Sequence, residues 1–449
     1  MAGKIDFTEA LMIGIGGMFG LAIFVFPGTT GKMIGGWDVI AWPLTGLLMI
    51  SVGLIYSELS SAYKVSGGPV LYIRLVLGKS ILSDMLSFIS TAGFYIGWTI
   101  AIVIGAITAP QYLAYAFPFI IPLLPVLPPL LVVITYTISI SGFKRATRTN
   151  YILTLSLLVV VVIYSASILS KGDFSKIFIS PEAKLSPFLS SIGIIIGAYG
   201  AWVGIPTLYN QIKQPDKNVP KAVSLSLVFT AAIYTILVLA LHSVVPYESF
   251  LSVPEAQISP FSYALELVGG SYYFKIIFSL AVFLAIFTTM LVGMLSLGTS
   301  IFMASEYGLI SKKLAYLDKK IGGSNPISTL VSAIPSIILS IYPQYFFSLM
   351  VIGLVIGTDL PYIINLGSYV IYKMRENDLE SPFRVPFGLL VGVVAFSLIV
   401  ISTVNLSLYE LEWSLMAIAI ILLVFVFLKF LEYINPNRVK DDVGGEQKA

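Results

Sequence analysis

The sequence contains no cysteine and a single histidine, His242. Disulfide frameworks and thiolate metal sites are excluded, and so are histidine metal clusters or proton relays built from several imidazoles. Charge is also scarce. Asp, Glu, Lys and Arg make up 11% of 449 residues against 57% hydrophobic ones, a balance that excludes an ordinary soluble domain. The net charge of +3 is too small to argue for a nucleic-acid partner. A membrane-embedded enzyme would lack its catalytic side chains here. No cofactor is expected.

What is present is a series of long apolar runs. A helix that crosses a bilayer needs about 20 apolar residues. By that measure twelve spans are expected, at 9–34, 39–62, 84–109, 119–141, 149–170, 187–212, 221–246, 272–304, 326–342, 344–372, 386–405 and 411–432. The run from Ala10 is followed by further spans, so it is expected to be the first membrane helix rather than a cleaved leader. Lys and Arg fix the expected orientation. With the N-terminus in the cytoplasm, 21 of the 26 basic residues fall inside, and Lys32, Lys171, Lys176, Lys184 and Lys275 fall outside. Both termini are then cytoplasmic, in a multi-pass protein of the cell membrane. Segments 64–83 and 306–325 mix basic and apolar residues and are expected along the inner membrane surface or as solvated loops.

Segment 11–28, LMIGIGGMFGLAIFVFPG, is apolar yet carries Gly14, Gly16, Gly17, Gly20 and Gly28. Glycine weakens a helix by about 1 kcal/mol relative to alanine. In lipid, a loosened backbone persists only where its polar groups are buried in protein or line a cavity. Two outcomes are open: close helix packing through small residues, or a helix broken near its middle to make a binding site. Span six carries a matching stretch, with Gly193, Gly197, Gly200, Gly204 and Pro206 in an apolar run. Spans one and six are five spans apart and would run in opposite directions. Interrupted helices at corresponding places in two inverted halves favour a transporter with its site at the midplane. A half-helix starting there offers unpaired N–H groups to a carboxylate, and unwound carbonyls suit an ammonium group or metal cation. Neither break contains Asp, Glu, Lys or Arg.

Four stretches together resemble the amino acid–polyamine–organocation (APC) permease superfamily. They are Ile15–Phe24 with Pro27 and Gly28; Tyr56–Ser60 with Ser66–Pro69; Tyr199–Trp202 with Gln211–Ala222; and Ser381–Pro386. The resemblance implies an all-α polytopic membrane protein of twelve transmembrane helices in a five-plus-five inverted repeat (LeuT-like). Residues 9–170 would form the first repeat, 187–372 the second, and 386–432 two further helices. Residues 1–8 and 433–449 would be cytoplasmic ends. It implies secondary active transport of an amino acid or related amine by alternating access. The substrate carboxylate would meet N–H groups at Gly20, Leu21 and Ala22. The amino group would meet carbonyls near Gly16, Met18, Tyr199 and Gly200, with Ala201 and Trp202 completing the site. Where this chain has Ala22, the superfamily usually has a second glycine. The lysine that some proton-coupled members carry in span five is absent from 151–168.

Several other residues are candidates. Asp359 sits mid-span before Pro361, where a carboxylate is costly and so functional by default, as a proton carrier or a contact to a cationic group; the plainer alternative is a helix cap. Thr288 and Thr289 could complete an oxygen site for Na⁺, as Ser or Thr does in sodium-coupled relatives of the resemblance, or simply bond to the preceding turn. Tyr95 and Trp98 share a helix face and could close over a substrate or pack against other helices. Trp202 is a gate candidate. Glu58 is expected to pair with a basic residue, and His242 to lie at the interface. The expected partners are the substrate, the bilayer and a co-transported H⁺ or Na⁺. An inorganic-ion cotransporter of the same fold and a non-transporting sensor are the alternatives.

Overall fold

The structure is a computed structural model that describes residues 5–64, 69–140, 143–177, 184–306, 326–375 and 381–434. The expected inner segment 306–325 and the C-terminal tail fall almost wholly outside the described residues. Among those residues the protein is helical throughout, apart from one isolated parallel bridge between Ile5 and Ile212.

The first apolar run forms two helices, α1 (Phe7–Met18) and α2 (Leu21–Ile34), and α3 (Asp38–Tyr63) follows a short turn. Asp6 and Glu9 cap α1 reciprocally: each side chain accepts the other's backbone N–H, both at 2.9 Å. Helix α4 (Pro69–Leu77) buries Tyr72, Ile73 and Val76 and exposes Arg74 and Leu75, the two-faced pattern expected of a surface helix. Arg74 reaches Asp84 of α5 (Ile81–Ala116) through Nε at 3.1 Å and Nη2 at 2.7 Å. The prolines at 118–129 leave a short tight helix over Pro118–Leu123 before α6 (Leu127–Ser139). Helix α7 (Phe143–Leu169) completes this part.

The sixth apolar run breaks into α8 (Leu185–Ala198) and α9 (Gly204–Thr207), with tight turns over Gly200–Val203 and Tyr209–Gln211. Then come α10 (Pro215–Val244), the short helices α11 (Tyr247–Ser252), α12 (Pro254–Ile258) and α13 (Pro260–Leu267), and α14 (Tyr272–Glu306). Helix α15 (Pro326–Ser340) leads through a tight turn into α16 (Phe346–Leu354). A wide π-turn over Val355–Asp359 joins α16 to α17 (Leu360–Met374). Helices α18 (Gly388–Ser407) and α19 (Leu411–Ile434) end the chain.

By length and composition, six stretches among the described residues can cross a membrane. They are Phe7–Tyr63, Ile81–Ala116, Pro215–Val244, Tyr272–Gly298, Pro343–Met374 and Gly388–Phe427. The pair Leu185–Ala198 and Gly200–Thr207, bent by 44°, makes a seventh if taken as one. Phe7–Tyr63 contains two of the twelve expected spans, and Gly388–Phe427 overlaps two more. Helix α3 packs along α10, α5 along α14, and α1 against α10, while α8 and α17 pack on α18.

Candidate functional site

Of the five glycines in 11–28, only Gly20 stands outside a helix. Gly14 and Gly17 lie inside α1 and Gly28 inside α2. Small size is what matters at those three: a Cβ at Gly14 would press on Ile205 and Ser226, one at Gly17 would stand 2.9 Å from the Ala201 Cβ, and one at Gly28 would overlap the Gln257 carbonyl. Packing and breaking thus coexist in the same stretch. At the break itself, the Gly20 N–H turns back to Met18 O at 2.9 Å. Helix α2 then starts at Leu21 with no side-chain cap.

A helix start leaves its first four N–H groups without partners in a preceding turn. The Leu21 N–H is taken by Thr289 Oγ1 of α14 at 3.3 Å. A Cβ on Gly20 would overlap that same hydroxyl. Of the three N–H groups expected to hold a carboxylate, those of Gly20 and Leu21 therefore already have acceptors, and Ala22 is the one half-buried residue in a buried stretch.

The second break lies directly across from the first. Gly17 meets Ala201, and the Tyr234 hydroxyl of α10 donates to Met18 O at the end of α1 and lies 3.4 Å from Ala198 O at the end of α8. Tyr199 donates to Trp42 O at 3.2 Å, and Tyr362 of α17 faces Gly200 O at 3.4 Å. Trp202 is fully buried, stacks on Tyr362 at 6.2 Å between ring centres, and meets Tyr56 edge-on at 5.2 Å. Trp202 Nε1 and the Tyr56 hydroxyl have no partner among the described residues. Gly200 and Ala201 stay half-buried, and a Cβ at Gly200 would find nothing nearer than the Tyr362 hydroxyl at 3.8 Å. The arrangement brings backbone polar groups of both breaks together among buried aromatic rings. Among the described residues no group of three acidic or histidine side chains is placed to hold a metal ion.

These interrupted helices match a known family. The sequence profile described as "Amino acid permease" matches residues 5–427. The chain belongs to the amino acid permease family. It is similar to the branched-chain amino acid permease of Lactococcus lactis subsp. cremoris, 23% identical over 439 residues and 92% of each chain. It is similar to the chloroplastic cationic amino acid transporter 7 of Arabidopsis thaliana, 24% identical over 91% of this chain and 70% of that one. It is also 23% identical to the methylthioribose transporter of Bacillus subtilis, over 88% and 86%. The family and these relatives are permeases, not enzymes, and with its apolar helices the chain is a multi-pass membrane protein.

The remaining candidates of the permease fall in different places. Gly16 lies within α1, buried. Thr288 donates only to Ala285 O, at 2.8 Å, within its own helix. Thr289 donates to the same carbonyl at 3.2 Å while accepting from Leu21, so it alone of the pair touches the first break. Asp359 closes the π-turn and is fully buried. It makes no capping bond; its Oδ2 accepts from Thr403 Oγ1 of α18 at 3.1 Å, and its Oδ1 has no partner among the described residues. Tyr95 points to α15 and donates to Val331 O at 2.8 Å, while Trp98 lies against Gly293 of α14. None of the contacts described for Tyr95 and Trp98 involves the breaks.

Glu58 does pair with a basic residue, Lys373 of α17, and also accepts from Tyr369 at 2.7 Å and from the Val385 N–H at 2.9 Å. His242 lies in the last turn of α10 and is buried, with Nε2 3.2 Å from Asp38 Oδ2. Tyr234, Tyr362 and Asp38 did not stand out in the sequence. No local pattern singles out Tyr234, because Thr230 and Thr235 put other hydroxyls in the same apolar run.

Proposed function

We propose that the protein is a secondary active transporter of an amino acid or related amine, which binds where the two breaks meet and crosses by alternating access. The observation that carries this is the Tyr234 hydroxyl, which touches the last carbonyls of both α1 and α8. One side chain thus holds two interrupted helices end to end, as a site shared between them requires. The branched-chain and cationic amino acid relatives support the substrate class.

Residues 9–170 and 187–372 would form two inverted repeats and one helix bundle would rock against the other, with 386–432 outside the repeats and both termini in the cytoplasm. Support comes from the packing of α3 on α10 and α5 on α14, each pair five expected spans apart. In the site, the Ala22 N–H and the start of α2 would face the carboxylate. Carbonyls near Gly16, Met18, Tyr199 and Gly200 would face the amino group, with Ala201 and Trp202 beside it. Tyr362 would have to release Gly200 O, or share it, for the amino group to bind there. Asp359 would carry H⁺, or Thr289 with Thr288 would hold Na⁺. The test is uptake of radiolabelled amino acids by proteoliposomes. Saturable accumulation that unlabelled amino acids compete, and inorganic salts do not, is expected. Vesicles that bind amino acids but never accumulate or exchange them would overturn transport.

A further inference from the structure

Far from the breaks, at the end of the bundle where α2 finishes, a second polar cluster is buried. Asp38 opens α3 with no exposed surface, and His242 near the end of α10 is almost as enclosed. Asp38 Oδ2 accepts from Thr30 Oγ1 of α2 at 2.9 Å and meets His242 Nε2 at 3.2 Å. Asp38 Oδ1 has no partner among the described residues.

We infer that Asp38 and His242 form a proton-binding site that locks the corner between α2 and α3 onto α10. The pair is 204 positions apart in sequence, so only the fold creates it. With one proton between Nε2 and Oδ2, the pair is neutral whichever atom carries it. Without that proton, a carboxylate stands in apolar surroundings beside a neutral imidazole, an arrangement that burial disfavours. Loss of the proton therefore favours separation of α10 from α2 and α3, where water can reach the carboxylate.

Among the described residues, the charged side chains on the neighbouring elements are engaged elsewhere or face out. Lys32 of α2 reaches Gln257 at 3.3 Å, and Lys171 donates to Val268 O at 2.7 Å. Asp173, beside Ser243, accepts from Ser175, and Glu248 of α11 is exposed. The uncharged ring of Phe250 in α11 lies beside the imidazole, 5.3 Å between ring centres.

The lock's effect on transport rests on the proposed function; its existence does not. Because the chain has one histidine, ¹⁵N-histidine NMR of the full chain in nanodiscs reads His242 alone. The titration of that signal is expected to move in Asp38→Asn. In proteoliposomes, amino acid uptake is expected to fall about tenfold per pH unit once the proton is lost, the slope of a single site. In Asp38→Asn and His242→Gln it should change less than about twofold between pH 6 and 8. An imidazole titration identical in wild type and Asp38→Asn overturns the site. Unchanged uptake profiles in both variants overturn the lock. If wild type transports no amino acid at any pH, the transport proposal fails, and the NMR comparison still decides the site.

Discussion

The hydroxyl of Tyr234 donates to the carbonyl oxygen of Met18, the last residue of the first half-helix, and its other near neighbour is Ala198 O, at the end of the corresponding half-helix in the sixth apolar run. Both the hydroxyl and its surroundings are closed to solvent. Removing that oxygen takes a donor from two carbonyls at once. Tyr234→Phe is expected to lower stability by about 1–3 kcal/mol, the cost of leaving buried polar groups unpaired. It is also expected to shrink the thermal shift that amino acids produce in the purified protein. A loss of stability with an undiminished ligand shift would leave Tyr234 a structural role only.

Thr289 and Thr288 are adjacent but not equivalent. Thr289 accepts the Leu21 N–H and Thr288 bonds only within α14. Thr289→Ala frees that N–H for a carboxylate at the first break and is expected to tighten amino acid binding by up to roughly tenfold, about 1.4 kcal/mol. Thr288→Ala should change binding less than about twofold unless a cation uses both hydroxyls. The check is binding with and without Na⁺. If Na⁺ couples here, the double alanine variant loses sodium dependence. Wild-type binding indifferent to Na⁺ would remove the cation site.

Asp359 has one carboxyl oxygen bonded to Thr403 and one without a partner among the described residues. Asp359→Asn keeps the shape and the Thr403 contact while removing the titratable group. A proton carrier predicts that an imposed pH gradient no longer drives uptake in this variant, while exchange of amino acid across the membrane persists. Unchanged gradient-driven uptake would take Asp359 out of coupling.

Glu58 joins α3 to α17 and to the chain at Val385. It is buried, whereas its partner Lys373 is 21% exposed and can return to water. Glu58→Gln is therefore expected to cost about 1–3 kcal/mol rather than the larger penalty of a stranded buried charge. A melting curve in detergent measures it.

Much of the helix layout was legible because apolar runs of membrane length are hard to mistake, and a helix lies under each expected one. The place of the first break was legible only in part. Gly14, Gly17, Gly20 and Gly28 look alike in sequence, and what separates them lies across the interface. Ile205, Ala201 and Gln257 press on three of them, while at the fourth Thr289 takes up an N–H that the helix has dropped. Asp38 carried no signal of its own, and His242 read as a lone interfacial side chain. Their pairing depends on how α3 and α10 pack, which no local pattern carries. Asp359 was legible as a costly residue, but the π-turn that holds it was not.

The most direct test of a shared site at the two breaks uses Gly200. A Cβ there has open space, with nothing nearer than 3.8 Å, so Gly200→Val should fold with an unchanged melting temperature in the absence of ligand. Gly20 is a poorer probe, because any side chain there collides with Thr289. The measurement is equilibrium binding of radiolabelled amino acids to purified wild type and Gly200→Val. A site between the breaks predicts at least about a tenfold loss of affinity, about 1.4 kcal/mol, in the variant. Equal affinity in a stably folded Gly200→Val protein would contradict it.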